Sequence, residues 1–200
     1  MKDVVIVAGA RTPIGNFGGA LKDVPAQKLG ELVVREVLAR AHLDPDLVDE
    51  VIVGCVGQPS DAYNIARVIG LMAGLPMRTP AYSVQRNCSS GLQPFVNAFQ
   101  NIQSESADVQ VVGGVENMSR APFLSRDMRW GKRLRHAEFI DSLWEGLTDA
   151  FAASSWEGRR RIWPKSSASA GRSRTASRWR AIVARSAPSG KAASRMRCCP

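Results

Sequence analysis

Apolar and polar positions along the chain alternate between two periods, and the switches between them divide the first two thirds into strands and helices. Val4–Ala8 is a short unbroken apolar run, which predicts a strand buried on both faces. Residues 11–25 hold several glycines and prolines and read as a loop. Over 26–41, Leu29, Leu32, Val33, Val37 and Leu38 recur at helical spacing with Lys28, Glu31, Arg35 and Arg40 between them, and Pro45 follows as a breaker. Val51–Val53 reads as the next strand, and 64–73 as a helix stopped by Gly74 and Pro76. A strand at Ala81–Val84, a helix from Leu92 to Ile102 and a strand at Val109–Val112 complete the series. Strand–helix alternation of this kind predicts a layered α/β domain with a mixed or mostly parallel sheet.

The most informative chemistry lies between the third strand and the helix after it. There the sequence reads Gln85-Arg86-Asn87-Cys88-Ser89-Ser90-Gly91-Leu92-Gln93. A cysteine at the start of a helix meets unpaired N–H groups and the positive end of the macrodipole, both of which favour thiolate. Ser89, Ser90 and Gly91 add little bulk, so a large substrate could reach the sulfur. The same spacing fits a small buried residue at a tight turn, since free cysteines are among the most buried side chains. These residues alone leave both readings open.

Other segments, taken in order with this one, resemble the N-terminal half of the thiolase family (acetyl-CoA acetyltransferase and 3-ketoacyl-CoA thiolase). They are Val4-Val5-Ile6-Val7-Ala8-Gly9-Ala10-Arg11-Thr12-Pro13-Ile14-Gly15, Gly54-Cys55-Val56-Gly57-Gln58, Asn64-Ile65-Ala66-Arg67 and Ala73-Gly74-Leu75-Pro76. The Cys88 segment follows, then Val112-Gly113-Gly114-Val115-Glu116-Asn117-Met118-Ser119 and Asp141-Ser142-Leu143-Trp144-Glu145-Gly146-Leu147-Thr148-Asp149. Each piece is weak alone; their shared order carries the resemblance, which covers residues 2 to 150.

The resemblance implies a fold of two similar α/β halves plus a loop domain. On that basis residues 1–120 are the N-terminal α/β domain and 121–151 the start of an incomplete loop domain. It implies that Cys88 takes an acyl group from a CoA thioester, with CoA and acyl-CoA as substrates and no bound metal or redox cofactor. A second acyl-CoA, deprotonated beside its carbonyl, would then attack the acyl-cysteine, or CoA would cleave a 3-ketoacyl-CoA in reverse. The backbone N–H of Cys88 is a candidate donor to the thioester oxygen. In the family, the histidine that activates the nucleophile and the second cysteine come from the C-terminal half. A 200-residue chain without that half is expected to show little or no turnover, and to leave exposed the apolar face that the partner half would cover. Relatives in the family are homo-oligomers; the resemblance leaves the oligomeric state of this chain open.

Charge changes the picture only after it is divided. The formal net charge of +9 would suggest a nucleic-acid or membrane partner. Twelve of the 27 Lys and Arg, but only Glu157 of the 18 acidic residues, lie in 152–200, which leaves 15 against 17 in the body. The body is near neutral, so it gives no sign of a nucleic-acid partner. The tail lacks hydrophobic periodicity and is expected to be disordered. One reading makes it a basic nucleic-acid-binding tail. We favour another, an out-of-frame translation. Permitted codons from Trp156 onward, regrouped one nucleotide earlier, spell Met-Gly-Arg-Thr-Ala-Glu-Asn-Leu-Ala-Glu-Lys, which resembles a thiolase continuation. The single tryptophan codon at Trp156, Trp163 and Trp179 constrains that regrouping.

The remaining candidates carry less. Cys198 and Cys199 lie in the tail, leaving Cys55 and Cys88 with no disulfide framework, which favours a reducing, cytoplasmic compartment. No signal peptide or membrane-length apolar run is visible, so no membrane partner is expected. Cys55 reads as a packing residue and His42 as a solvated helix end. His136 falls in a basic loop, Arg126 to Arg135, that either meets CoA phosphates or is simply solvated. Met118 packs either beside the reactive cysteine or in the core. The glycines between Gly9 and Gly19 lack phosphate-loop spacing. Two other functions remain open: a non-catalytic CoA-binding relative, and a basic-tailed nucleic-acid binder.

Overall fold

The structure, a computed structural model, describes residues 3–150 and 181–186. Its main sheet has five strands: β1 (Val4–Ala10), β2 (Glu50–Gly54), β3 (Ala81–Val84), β4 (Val109–Gly114) and β7 (Ala181–Ser186), in the order β1-β7-β4-β2-β3. β2 runs parallel to both β3 and β4, and β7 runs antiparallel to β1 and β4, so the sheet is mixed. Phe123–Leu124 (β5) and Ile140–Asp141 (β6) form a separate two-stranded pair. The helices are α1 (Ala26–Arg40), α2 (Ile65–Met72), α3 (Gln93–Gln103) and the short α4 (Ser142–Gly146).

Side-chain alternation along the central strands divides the core into two layers. Val51, Val53 and Val111 point to one face and pack with Leu29, Val33 and Val37 of α1 and Ile65 and Ile69 of α2. Ile52 and Val112 point to the other and pack with Ala98 and Ile102 of α3. The helices end where the local chemistry allows. The Asn64 side chain caps α2 by accepting from Arg67 N at 3.1 Å, and His42, just past α1, sits at φ 47°. On its outer side α3 leaves Val96 and Phe99 exposed, with Leu92 exposed just before it.

One polar cluster lies within the second layer. Glu50 Oε2 accepts from Asn101 Nδ2 (3.0 Å) and from Gln110 Nε2 (2.7 Å), while the Oε1 of fully buried Gln110 has no partner. Burial pushes the Glu50 carboxyl above its ordinary value, against the opposing effect of those two hydrogen bonds. A raised folded-state value means stability that is complete at acid pH and lost as pH climbs through it. Glu50→Gln keeps one oxygen for both donors and adds a donor near Gln110. Its thermal midpoint is therefore expected to exceed the wild type's at neutral pH, with the difference closing by about pH 4. Circular dichroism melts at both pH values check this; equal midpoints at neutral pH would contradict it.

Three expectations need correction. β1 is the edge strand rather than a strand buried on both faces, and Val5, Ile6 and Val7 remain exposed. A continuous apolar run reads alike at the edge and the centre of a sheet. The helix expected to begin at Leu92 begins at Gln93. The tail at 152–200, expected to be disordered, contributes β7 between β1 and β4. An edge of unpaired N–H and C=O groups on each neighbour favours an inserted strand, and Ile182-Val183 are β-branched. The rest of that expectation, residues 152–180 and 187–200, lies outside the described residues.

Candidate functional site

Cys88 is an exposed free thiol on the turn that links β3 to α3. The sequence predicts a helix start here; four residues separate Cys88 from Gln93, the first regular residue of α3. Between them the chain folds into consecutive turns. Ser89 N donates to Arg86 O (3.0 Å), Ser90 N to Asn87 O (3.0 Å), and Leu92 N and Gln93 N both donate to Ser89 O (3.0 Å). Asn87 sits at φ 47°, in the left-handed region that asparagine tolerates. Buried Ser90 locks the turn, its hydroxyl accepting from Arg86 N (2.8 Å) and donating to Asn87 O (2.7 Å). The Cys88 N–H donates to no group among the described residues, so it remains available beside the thiol. Helix-dipole effects fade within the first turn, so the dipole of α3 contributes little at Cys88.

The turn rests on the C-terminal ends of two parallel strands, and glycine makes that contact possible. A Cβ at Gly54, the last residue of β2, would lie 1.9 Å from Ser90 O and 2.4 Å from Ser90 C. One at Gly114, ending β4, would lie 2.8 Å from Gly91 Cα. Both obstacles are backbone atoms, which cannot rotate away. Hydrogen bonds from Cys55 N to Val84 O (3.0 Å) and from Val115 N to Gly54 O (2.8 Å) join the strand ends into one rim.

Side chains from the resemblance motifs brace this rim. Asn64 Nδ2 donates to Ala81 O (2.9 Å), and Ser83 Oγ donates to Asn64 Oδ1 (3.2 Å). Arg67 donates to Thr79 O and Met77 O, fixing the entry to β3. On the α3 side, Arg86 donates to Gln93, Gln93 to Asn97 (2.7 Å), and Asn97 to the Tyr82 hydroxyl (3.0 Å). Asn117 and Ser119 tether the loop before α1: Asn117 donates to Leu21 O (3.1 Å) and Val24 O (2.7 Å), and Ser119 Oγ accepts from Gly18 N (2.9 Å). These roles do not show in the sequence, because most of the contacts join residues ten or more positions apart.

The other candidates fall elsewhere. Cys55 is 1% exposed, as expected of a packing residue; burial first, then the charge of Glu116, pushes its thiol up to about 12. It stays protonated at neutral pH and is no second nucleophile. Glu116, just past β4, accepts from Val56 N (2.8 Å) and Gly57 N (3.1 Å), and burial raises its carboxyl above the ordinary value. His42 is exposed beyond α1, at the opposite end of the sheet from Cys88, and His136 is exposed in the 131–139 segment. Neither histidine is hydrogen-bonded to Cys88 among the described residues. Met118 is 41% exposed on a turn, so it is not a core residue. In the basic loop, Arg126 pairs with Glu145 (2.9 Å) and Lys132 with Asp127. Among the described residues no cluster of three His, Cys, Asp or Glu could hold a metal ion, and no helix is long and apolar enough to cross a membrane. The arrangement offers an exposed thiol and, among the described residues, an unpaired N–H beside it, seated on the strand ends.

Comparison with known proteins places this geometry. The family model described as "Thiolase, N-terminal domain" matches residues 4–156. A probable acetyl-CoA acyltransferase of Staphylococcus aureus is 42% identical over 152 residues, 76% of this chain and 39% of that protein. An acetyl-CoA acetyltransferase of Syntrophomonas wolfei is 42% identical over 153 residues, with 75% and 39% covered. The crystal structure of the Bacillus anthracis acetyl-CoA acetyltransferase superimposes with a TM-score of 0.74 at 44% identity, covering 78% of this chain and 39% of that one. Human mitochondrial 3-ketoacyl-CoA thiolase, solved in complex with CoA, gives 0.79 at 27% identity, covering 92% and 65%. The chain thus spans 39% of the length of the curated relatives it matches. With an α/β fold, the ordered motifs and a match over residues 4–156, the chain belongs to the thiolase family.

Proposed function

We propose that this chain carries the acyl-accepting half of a thiolase-type acyltransferase, with Cys88 as the nucleophile. The observation behind this reading is the exposed Cys88 thiol on a turn seated against Gly54 and Gly114, with its own N–H unpaired among the described residues. The Cys88 thiolate attacks the carbonyl carbon of an acyl-CoA thioester. A new carbon–sulfur bond forms, the bond to the CoA sulfur breaks, and CoA leaves as thiolate. Negative charge develops on the carbonyl oxygen, and the Cys88 N–H is the candidate donor that receives part of it. Condensation needs a further base to remove a proton beside the carbonyl of a second acyl-CoA, and neither histidine is joined to Cys88. The 200-residue chain is therefore assigned acyl uptake and release without sustained condensation.

CoA and its thioesters are the substrates in this proposal, and no metal or redox cofactor takes part. Domain limits of 1–120 and 121–151, homo-oligomeric assembly and a cytoplasmic, reducing location for the free thiols Cys55 and Cys88 belong to the same reading. So does the out-of-frame origin of 152–200, which the coding DNA tests; a frame continuous with residue 151 and without the shift would refute it.

The catalytic reading is tested by protection. Incubation with acetyl-CoA is expected to block iodoacetamide labelling of Cys88, and neutral hydroxylamine, which cleaves thioesters, is expected to restore it. Unchanged labelling after acetyl-CoA would defeat the proposal.

A further inference from the structure

Glu116 is a partly buried carboxylate with no cation beside it among the described residues. Its two oxygens accept from two successive backbone N–H groups, Val56 N at 2.8 Å and Gly57 N at 3.1 and 3.4 Å, and the Cys55 thiol lies 3.9 Å away. Cys55 is the one titratable group facing it among the described residues, from the segment after β2, and no ion pair forms. The carboxylate belongs to the segment after β4, whereas every group it holds belongs to the segment after β2. An acceptor-only group suits two converging donors, because a carboxamide or a protonated acid would turn an N–H or O–H toward one of them.

These contacts lead directly to the nucleophile. Val56 follows Cys55 and Gly54, and Gly54 lies against Ser90, two residues after Cys88. On the other side Gly114 lies against Gly91, and Val115 N binds Gly54 O. We propose that Glu116 is a positioning residue for Cys88: it locks the backbone after β2 to the backbone after β4 and so fixes the seat of the turn that carries the thiol. The proposal rests on the reading of Cys88 as nucleophile. No motif assigns Glu116 a part in the chemistry, and it acts only through the backbone that it holds.

A lock made by an ionised carboxylate must weaken when that carboxylate takes up a proton. Burial raises Glu116 above the ordinary carboxylate range, so the change comes at higher pH than for a solvated carboxylate, with the lock intact above it and released below it. A purely structural contribution would lower the unfolding midpoint without giving Cys88 a second pH dependence.

The test uses the full 200-residue chain and iodoacetamide, read by mass spectrometry on the Cys88 peptide from about pH 5 to about pH 8. A thiol that titrates alone gives a line of unit slope in log rate on its acid side. The wild type is expected to depart from that line by about threefold or more at the acid end. Glu116→Gln should keep unit slope throughout, displaced from the wild type near neutral pH in the direction of the wild type's own departure. Glu116→Asp should restore a break. A wild-type line of unit slope over the whole range, or a Glu116→Gln profile that coincides with the wild type's, overturns the proposal. Should the Gln variant fail to fold, the wild-type profile decides alone. Failure of Cys88 to label at any pH would overturn the nucleophile reading as well, which separates the two claims.

Discussion

Alanine at position 54 is expected to remove acyl uptake by Cys88 while leaving most of the sheet intact. The added Cβ would lie 1.9 Å from Ser90 O, far inside any real contact, and the obstacle is a backbone carbonyl. β2 is the centre of the parallel set, paired on both sides, so the strand cannot retreat. The exposed turn must move instead, carrying Cys88 and its N–H with it. Overpacking of this kind costs about 1–3 kcal/mol of stability. A displacement of about 1 Å at a reacting group can cost about 100-fold in rate. Acetyl uptake from acetyl-CoA is expected to fall by about that factor, with a smaller loss in the urea midpoint. Uptake equal to wild type would mean that the turn does not depend on its seat.

Cys88→Ala should have the opposite profile. The side chain is exposed and makes no hydrogen bond among the described residues, so its removal leaves no cavity and no orphaned partner. Stability is expected to change by less than about 0.5 kcal/mol, as for other surface substitutions. Thioester formation, by contrast, should lose its main part, since Cys55, buried and with its thiol held protonated, cannot take over. Cys88→Ser should fare little better, since a hydroxyl with no base bonded to it is a poor nucleophile at neutral pH. Melting curves paired with hydroxylamine-labile acetyl incorporation check both halves of this prediction. Incorporation in the alanine variant equal to the wild type's would place the nucleophile elsewhere.

Most of the element series was legible because local periodicity determines it. The α1 stripe of Leu29, Val33 and Val37 and the α2 stripe of Ile65 and Ile69 pack against the sheet as their spacing implies. What escaped was long-range or concerned turns. β7 could not be read from its own residues, because its pairing is decided by β1 and β4, which lie more than 60 residues away in the chain. The gap between Cys88 and α3 escaped because Asn87 and Ser90 build a turn from side-chain and left-handed backbone chemistry that hydrophobic period does not register.

The candidate site followed the same division. Cys88 could be named from small neighbours and motif order. Its seat could not, since Gly54 and Gly114 show their purpose only when the turn lies on them. Glu116 escaped for a related reason: its partners, Val56 and Gly57, are 60 and 59 positions away. An acidic residue after a glycine pair gives no sign of which backbone it will hold.

Mapping acetyl groups residue by residue after incubation with acetyl-CoA tests the central claim most directly. Digestion of the native 200-residue chain separates Cys55, Cys88 and the Cys198-Cys199 pair, so each can be scored for the added acetyl mass. The account requires a hydroxylamine-labile acetyl on the Cys88 peptide exceeding that on the other three cysteines combined. Acetyl spread evenly over the four cysteines, or found anywhere but Cys88, would contradict it.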